Sequence, residues 1–191
     1  MNPNRYAYSD KSGYTKVVFD FVECVTLNGN YEFKMNSTEK YECYSGGGFK
    51  LSDIRNIYLP EILSDLPDDM QSSISEVDVL SGIGSGTSKG TSVSSNKLFL
   101  PSETEIDFFT TFSIGKEENP SVGEIEYFDY YKHNSDNAKI KKNIENNTAI
   151  TWWLRSPASN SADDFCAISV KGKSTRIQAN VDCGISPFFT I

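Results

Sequence analysis

Few residues of this chain have side chains that acid–base or nucleophilic chemistry could use. Its one histidine, His133, lies in the polar segment YKHNSD, and without it no Ser-His-Asp or Cys-His arrangement can be assembled. Carboxylates are paired at Asp163 with Asp164 and at Glu103 with Glu105, and such pairs can act as general acid and base. Neighbouring acids in polar turns are usually solvated, so we expect both pairs to lie in solvent without a catalytic role.

Metal and thiol chemistry is equally sparse. Four cysteines occur, and none has C-x-x-C spacing: Cys24, Cys43, Cys166 and Cys183. A zinc ribbon or a thioredoxin-like motif is therefore not favoured, and we expect reduced, buried thiols. The calcium-loop motif of helix–loop–helix proteins is also missing. We expect no metal site, although a looser oxygen cluster of Asp163, Asp164 and Asp182 leaves calcium open.

Composition limits the possible partners. The chain has 191 residues, of which 38% are hydrophobic and 23% charged, which suits one domain with a real core. Its net charge of −8 is unfavourable for nucleic acid or anionic lipid, which require a basic surface. We find no signal peptide and no membrane-spanning apolar run. The sequence therefore predicts neither nucleic-acid binding nor membrane insertion.

The N-terminal half predicts short elements. Residues 16–27, KVVFDFVECVTL, are rich in β-prone residues and predict a strand. A helix is predicted from an N-cap at Ser52, with Pro60 kinking or ending it. The segment LPDDMQSSI predicts a second short helix with Pro67 near its first turn.

The middle of the chain contains the clearest predicted loop, residues 81–95, SGIGSGTSKGTSVSS. It is not a phosphate-binding loop, because Lys89 precedes Gly90. A short strand at 98–100 and a capping box of Ser102 with Glu105 are predicted next. The aromatic segment EIEYFDYYKH is more typical of core and rim than of a ligand site. The polar segment AKIKKNIENN predicts a turn or a short helix.

About the last 40 residues change character, with short β-prone runs separated by polar turns. In FCAISV, alternation of side chains predicts a strand with one buried face. The hexapeptide WWLRSP at 152–157 holds both tryptophans, and its residue types alone leave a binding platform, a catalytic pocket and a core strand open. The polar stretch 158–182 offers adaptable hydrogen bonding, as antibody loops do, or is an ordinary solvated sheet edge.

This C-terminal stretch resembles a bacterial and phage domain of uncharacterised function. That domain is marked by W-W-L-R-S-P, F-C-x-V, a glycine turn and G-V-R-P-A-F, and this chain has WWLRSP, FCAISV and GISPFF in the same order. Upstream, MNST, GGFKLSDIR, LPDDMQ and KLFLPSETE match further motifs of the family. The resemblance covers about residues 15–191, which predicts an extension of residues 1–14 before a single domain.

The resemblance implies a C-type-lectin-like fold, distantly similar to the formylglycine-generating enzyme and to variable proteins of diversity-generating retroelements. We therefore expect an α+β fold with short helices packed on a small twisted antiparallel sheet, formed largely by roughly the last 40 residues. Such domains often end phage tail-fibre or bacterial surface proteins. The expected role is that of an adhesin, on a virion tail or a bacterial surface, that recognises a host-cell surface glycan or protein.

In such proteins the final sheet and its turns carry the contact residues. On this chain the corresponding candidate ligand-binding positions are Ala158, Ser159, Asn160, Ser161, Ala162, Asp163, Asp164, Ser169, Lys171, Lys173, Ser174, Arg176, Gln178, Asn180 and Asp182. The motif anchors predicted as scaffold are Trp152, Trp153, Arg155, Pro157 and Gly184. We expect Trp152, Trp153 and Leu154 to divide between the two faces of a strand. Arg155 should bond nearby backbone or carboxylate groups and fix the turn before Pro157.

The chain also departs from the family's pattern. GISPFF places Ser186 where the family has arginine, and the chain ends in FTI instead of F-C-I. The catalytic cysteines of the formylglycine-generating enzyme have no identifiable counterpart, so we expect no enzyme activity and no cofactor. Two alternatives stay open: an enzyme related to that class, and a structural domain that caps or trimerises a fibre. A retroelement-diversified variable protein is a further hypothesis.

Overall fold

The computed structural model describes residues 6, 9–13, 17–37, 45–84, 90–107, 111–114 and 128–191. The architecture is α+β, with short helices and small antiparallel sheets. The strands are β1 Val18–Asp20, β2 Phe33–Lys34, β3 Val77–Gly82, β4 Thr91–Asn96, β5 Lys141–Lys142, β6 Ala149–Ile150, β7 Trp152–Pro157, β8 Asp164–Ile168, β9 Ser174–Gln178, β10 Asp182–Cys183 and β11 Phe188–Thr190. The predicted class of fold is therefore confirmed at this level.

The sheet of most interest here is three-stranded and has the order β7–β8–β9. Strand β8 pairs with β9 from Asp164 opposite Gln178 to Ile168 opposite Ser174. Its other side pairs with β7, and the register shifts after Trp153. As predicted, this sheet comes from the C-terminal part of the chain.

The two ends of the domain are joined by pairing distant in sequence. Strand β1 pairs with β11, the last strand of the chain, and β2 pairs with β10. The predicted strand at 16–27 was therefore too long, because only Val18–Asp20 has a partner strand. Of the strand predicted at 98–100, only Phe99 pairs, in a single bridge with Phe188.

The helices are short and precede the three-stranded sheet β7–β8–β9 in the chain. They are α1 Gly48–Leu51, α2 Leu59–Ser64, α3 Asp68–Ser73, α4 Glu103–Ile106 and α5 Asp129–Lys132. The helix predicted in LPDDMQSSI is confirmed as α3, with Pro67 immediately before it. The polar segment AKIKKNIENN, predicted as a turn or a short helix, begins with the last two residues of a 3₁₀ helix, Asp136–Lys139, and continues through β5 into a turn.

A π-helical turn, Ile54–Tyr58, connects α1 and α2. Its wide hydrogen bond runs from the N–H of Leu59 to the carbonyl five residues earlier. Pro60, at the start of α2, has no N–H for the carbonyl four residues before it, so the α-helical pattern cannot run through this position. The helix therefore does not end at Pro60: the π-helical turn precedes this residue and α2 continues beyond it. Ser52 accepts the N–H of Arg55 at 3.2 Å, as an N-cap does.

The loop predicted for residues 81–95 is largely a hairpin. Strands β3 and β4 pair antiparallel from Val77 opposite Asn96 to Gly82 opposite Thr91. Residues 85–89 of the predicted loop lie outside the described residues. The prediction was wrong because backbone groups, not side chains, make the ladder, and Ser and Thr side chains are compatible with it.

The core runs from the N-terminal segment to the last strand. Tyr6 is buried against Phe99, with ring centroids 4.7 Å apart, so the segment before residue 15 contributes to the core. In the aromatic segment Phe128 and Tyr131 are buried and Tyr130 is exposed. This is the predicted division into core and rim; Tyr127 lies outside the described residues.

Candidate functional site

Strand β7, the hexapeptide WWLRSP, is buried at every residue. Successive side chains of a strand point to opposite faces, so Trp152 and Trp153 extend into different parts of the core. Their indole N–H groups donate to the carbonyls of Lys139 at 2.9 Å and Phe33 at 2.7 Å. A buried indole requires such an acceptor. The two tryptophans thus fasten the sheet to two distant segments, and neither offers a platform to a ligand.

Arg155, in the middle of β7, makes a buried two-point ion pair with Glu105. Its Nη1 lies 2.6 Å from Oε2 and its Nη2 lies 2.9 Å from Oε1. Arg155 also donates to the carbonyls of Leu80 and Leu100 at 2.8 and 2.9 Å. The expected bonds to backbone and carboxylate are present, but they reach across the fold and do not fix the turn before Pro157.

Glu105 has a second role at the start of α4. Its Oε2 accepts the N–H of Ser102 at 2.8 Å, and Ser102 Oγ accepts the N–H of Glu105 at 3.3 Å. The predicted capping box is therefore confirmed. Tyr6 also donates its hydroxyl to Glu105 Oε1. The expectation that this acid is solvated was wrong, because three parts of the chain enclose it.

Glu103, also fully buried, holds the segment that follows α4. Its carboxylate accepts the backbone N–H groups of Thr111, Phe112 and Ser113, the last at 2.7 Å. The carbonyl of Phe112 then accepts the N–H of Ser159 at 2.7 Å. Glu103, which was also expected to lie in solvent, therefore has a structural role. It connects the scaffold to the candidate loop 158–164.

The candidate positions of loop 158–164 differ in exposure. Asn160 and Ala162 are exposed, and Ser159, Ser161 and Asp163 are half-buried. Ala158 is 1% exposed, so its predicted role in ligand contact is wrong. Its N–H donates to the carbonyl of Asp164 at 2.9 Å, which closes the base of the loop and turns Ala158 inward.

Arg176 lies at the centre of the candidate surface. Its Nη1 donates to Asn160 Oδ1 at 2.7 Å, and its Nε lies 3.6 Å from Asp164 Oδ2. Gln178 is opposite Asp164 in the register of β8 and β9, two residues from Arg176 and on the same face. We call these four residues, Asn160, Asp164, Arg176 and Gln178, the arginine face.

The other end of β9 is a charged cluster around the β8–β9 turn. Ser174 donates to Asp107 Oδ2 at 3.0 Å, and buried Lys139 lies 3.4 Å from both Asp107 and Asp136. Lys173 pairs with Asp136, which lowers the pKa of Asp136 through a side-chain hydrogen bond.

The remaining candidate positions lie at the two ends of the sheet. Lys171 is exposed, and Ser169 uses its hydroxyl inside the turn, donating to the carbonyl of Lys173 at 3.0 Å. Beyond β9, Asp182 is exposed opposite Lys34 of β2. Asn180 is half-buried, and its Oδ1 is buried without a hydrogen-bond partner. Apart from Ala158, the candidates therefore present side chains at or near the surface.

Gly184, predicted as scaffold, joins three segments. It accepts the N–H of Trp153 at 3.0 Å and donates to the carbonyl of Thr151 at 2.8 Å. A Cβ at this position would lie 2.6 Å from Cys24 Sγ. A side chain at position 184 would therefore displace the thiol or the strand.

The thiols are poorly placed for chemistry. Cys24, Cys166 and Cys183 are buried, as predicted, and Cys43 lies outside the described residues. Burial raises the pKa of Cys24 to about 12 and that of Cys183 to about 12, which disfavours the reactive thiolate. Among the described residues no group of three or more His, Cys, Asp or Glu is arranged to hold a metal ion. His133 is exposed.

Comparison with known families gives one match, which covers residues 23–191. The chain belongs to the DUF6273 family. This family is described as a domain of unknown function, and its match includes β7 and every position of the arginine face. No curated protein and no solved structure matches the chain significantly. Within the described part of this DUF6273 chain, no helix is long and apolar enough to cross a membrane.

Two groups of residues were not anticipated as parts of a site. Buried Lys139 and Lys141 come from a segment predicted as polar, and Lys141 pairs with Asp20 at 2.9 Å. Arg55 and Lys97 line a groove that contains none of the candidate positions in the DUF6273 domain. A signal was present for both residues, since Arg55 ends the motif GGFKLSDIR and Lys97 begins the motif KLFLPSETE, but neither motif indicates a groove.

Proposed function

We propose that this DUF6273 domain is a non-catalytic ligand-binding module of C-type-lectin-like fold, and that it reads its ligand with the arginine face. The observation that carries the proposal is the position of Arg176. Its guanidinium is held by Asn160 and Asp164 on an exposed surface. Arg176 belongs to β9, and the neighbouring strand β8 is buried from Phe165 to Ile168.

The scaffold beneath the arginine face supports this function. Binding is favoured when contact groups are already held in place, because less conformational entropy is lost on association. The Arg155–Glu105 pair and the Glu103 anchor fix β7 and the loop 158–164 through buried bonds. Guanidinium, carboxylate and amide groups can then hydrogen-bond to the hydroxyls of a sugar or to the polar groups of a peptide.

The sequence resemblance supports the biological setting that we propose. The domain would lie at the tip of a phage or prophage tail fibre or on a bacterial surface protein, with a host-cell glycan or protein as ligand. Diversification by a retroelement is an extension of the same proposal. A gene neighbourhood with a reverse transcriptase and a near-copy of the 3′ end would support it.

Absence of catalysis is part of the proposal. The elevated pKa of the Cys24 and Cys183 thiols supports it, as does the structural use of the carboxylates of Glu103 and Glu105. An enzyme would need a reactive group in a pocket, and the arginine face combines surface groups that bond mainly to one another.

A glycan-array screen, with and without calcium, tests the proposal. We expect selective binding by the domain, and Arg176→Gln and Gln178→Ala should each weaken it about tenfold or more, as loss of a charged or buried hydrogen bond does. Lys142→Gln is the matched control, because it removes one positive charge from β5, where Lys142 Nζ donates to Asn147 Oδ1 at 2.9 Å and to no other described residue. A protein array extends the screen to protein ligands. Binding that is unaffected by either substitution would place the site elsewhere.

Oligomerisation is the second candidate, and the free edge of β9 favours it. No strand in the described part of the chain pairs with the outer edge of β9. The backbone hydrogen bonds of Ser169 with Lys173 and of Ala179 with Asp163 show that the odd-numbered residues of β9 direct their backbone groups towards β8. Ser174 and Arg176 therefore direct their backbone groups towards the outer edge. Light scattering decides: a trimer that Arg176→Gln dissociates would show that this face joins subunits and does not read a ligand.

A further inference from the structure

A second candidate site is a groove of about 300 Å³ whose lining includes no residue of the arginine face. One wall is the π-helical turn and α2, and the other is the end of β4 with the residues that follow it. Pro60 and Leu63 give this groove an apolar strip, and Arg55, Lys97 and Glu76 are its charged lining residues. No residue of the groove belongs to the candidate surface 158–182.

Arg55 is fixed in the groove by neutral oxygens. Its guanidinium donates to Asn96 Oδ1 at 2.7 Å, to the Ser95 carbonyl at 3.1 Å, and to the Lys50 carbonyl and Asn56 Oδ1. No ion pair joins Arg55 to a carboxylate of the described residues. Burial lowers the pKa of Arg55, and Glu76 opposes this effect. The guanidinium is therefore partly desolvated while its charge is not neutralised by contact.

Lys97 is the second cation of the groove. Its Nζ donates to the carbonyl of Gln71 at 2.9 Å, which is a neutral acceptor and leaves further N–H groups available. Glu76 is exposed and accepts the hydroxyl of Ser9 at 2.7 Å. Arg55, Lys97 and Glu76 together give the lining one net positive charge, although the whole chain carries −8.

We propose that this groove binds a small amphipathic carboxylate, with its anionic head at Lys97 and Arg55 and its apolar body along Pro60 and Leu63. One net positive charge matches a singly charged carboxylate. A phosphate monoester carries about −1.5 to −2 at pH 7, and its second charge would be repelled by Glu76. The site is independent of the arginine face, so either proposal can fail without the other.

Hexanoate is the probe, and neutral 1-hexanol and hexyl phosphate are its matched comparisons. We expect hexanoate to shift the backbone amide resonances of α2 and the end of β4 in NMR titrations. It should bind more tightly than hexanol because of its charge, and at least as tightly as hexyl phosphate. No saturable binding of hexanoate, or equal binding of hexanol, would overturn the proposal. Binding of hexyl phosphate tenfold more tightly would overturn the assignment to carboxylates.

Two substitutions of opposite sign separate charge recognition from a general change in structure. Lys97→Gln should weaken hexanoate binding about fivefold, and Glu76→Gln should tighten it by a similar factor, as expected for single partly exposed charges. Lys142→Gln, the control of equal charge, should leave the affinity unchanged. Effects of the same sign in Lys97→Gln and Glu76→Gln would contradict the proposal. If Lys97→Gln fails to fold, the Glu76→Gln variant and the comparison with hexanol still test whether the groove recognises the charge of hexanoate.

Discussion

Removing one member of the Arg155–Glu105 pair should destabilise the domain strongly. Arg155→Met would leave a carboxylate buried without its counter-charge and the carbonyls of Leu80 and Leu100 without their donors. Breaking a buried pair in this way costs about 3–5 kcal/mol. Glu105→Gln keeps the shape of the side chain but leaves the guanidinium buried beside a neutral amide, and we expect a loss of similar size.

The structure explains why this magnitude is large. Each of the two side chains is 1% exposed, so water cannot replace the lost partner. A domain of this kind has a total stability of about 5–15 kcal/mol, so a loss of about 3–5 kcal/mol would remove between about a fifth and all of it. Arg176→Gln is the control: the Arg176–Asp164 pair is 3.6 Å long and its side chains are 43% and 16% exposed. Its loss should change stability by less than about 1 kcal/mol.

Urea unfolding followed by tryptophan fluorescence measures these changes, because both tryptophans are buried in the folded state. The double variant Arg155→Met with Glu105→Gln removes both charges, so it should lose clearly less than the sum of the two single variants. Two results would refute the reasoning: strict additivity in the double variant, or a loss below about 1 kcal/mol in each single variant. Either would mean that the pair does not hold β7 against α4.

Two further predictions concern Cys24 and Cys183. Gly184→Ala should lower the free energy of unfolding by about 1–3 kcal/mol through overpacking against Cys24 Sγ. Adding Cys24→Ala should recover part of that loss, measured by urea unfolding. If the double variant shows no recovery, the strain lies elsewhere. The second prediction is that stability falls above pH 9, because the pKa of Cys24 and that of Cys183 are each raised from 9.0 to about 12 by folding. The two neutral thiols contribute fully to the free energy of unfolding below pH 9. This contribution declines towards pH 12 by up to about 1.4 kcal/mol per thiol per pH unit. Between pH 8 and 10.5, the urea midpoint of Cys183→Ala should therefore decline less steeply than that of the unmodified chain.

Elements with complete local signals were predictable from the sequence. The capping box needs only Ser102 and Glu105 at the correct spacing, and it formed as expected. Helix α3 needs Pro67 and two acids at its start, and these are adjacent in the chain. In both cases the interactions that define the element lie within a few residues.

Elements that depend on distant partners were not predictable in the same way. The segment TSVSSN of β4 has the composition of a loop, but β3 supplies its ladder. In FCAISV, alternation predicted one buried face, whereas Phe165, Cys166, Ala167 and Ile168 are all buried. That prediction was wrong because β8 is the central strand and is covered on both faces, and period-2 patterns report only half-covered strands.

The most frequent error was to expect in solvent charged side chains that the fold buries. A carboxylate or ammonium group is solvated unless a partner of opposite charge or several donors replace water. For Glu105 that partner is Arg155, 50 residues away in sequence, and for Lys141 it is Asp20. A local pattern cannot contain such a partner, so Glu105 and Lys141 were expected in the wrong environment. Glu103 and Lys139 have partners closer in sequence, at 111–113 and at Asp136, but residue types alone did not show that these partners would enclose them.

The candidate surface could be predicted in its location but not in its internal order. Positions between the motif anchors do lie mostly at the surface, because the anchors fill the core and alternate with them. Which candidates contact one another depends on the register of β8 and β9, and this register brings Arg176 to Asn160 and Asp164. Ala158 was misplaced because its backbone closes the loop, a role that its residue type does not reveal.

The separation of the core network from the arginine face has a consequence for the ligand-binding function that we propose. The buried bonds of Arg155, Glu105 and Glu103 involve none of the four side chains of the arginine face. Among the described residues, their hydrogen-bonded connection to loop 158–164 runs through the backbone of Ser159. Backbone contacts are insensitive to the side chain present, so substitutions at Asn160 or Gln178 should leave folding nearly unchanged while they alter the groups offered to a ligand. A surface built in this way can vary its specificity on a constant scaffold, which is the property that a display domain requires.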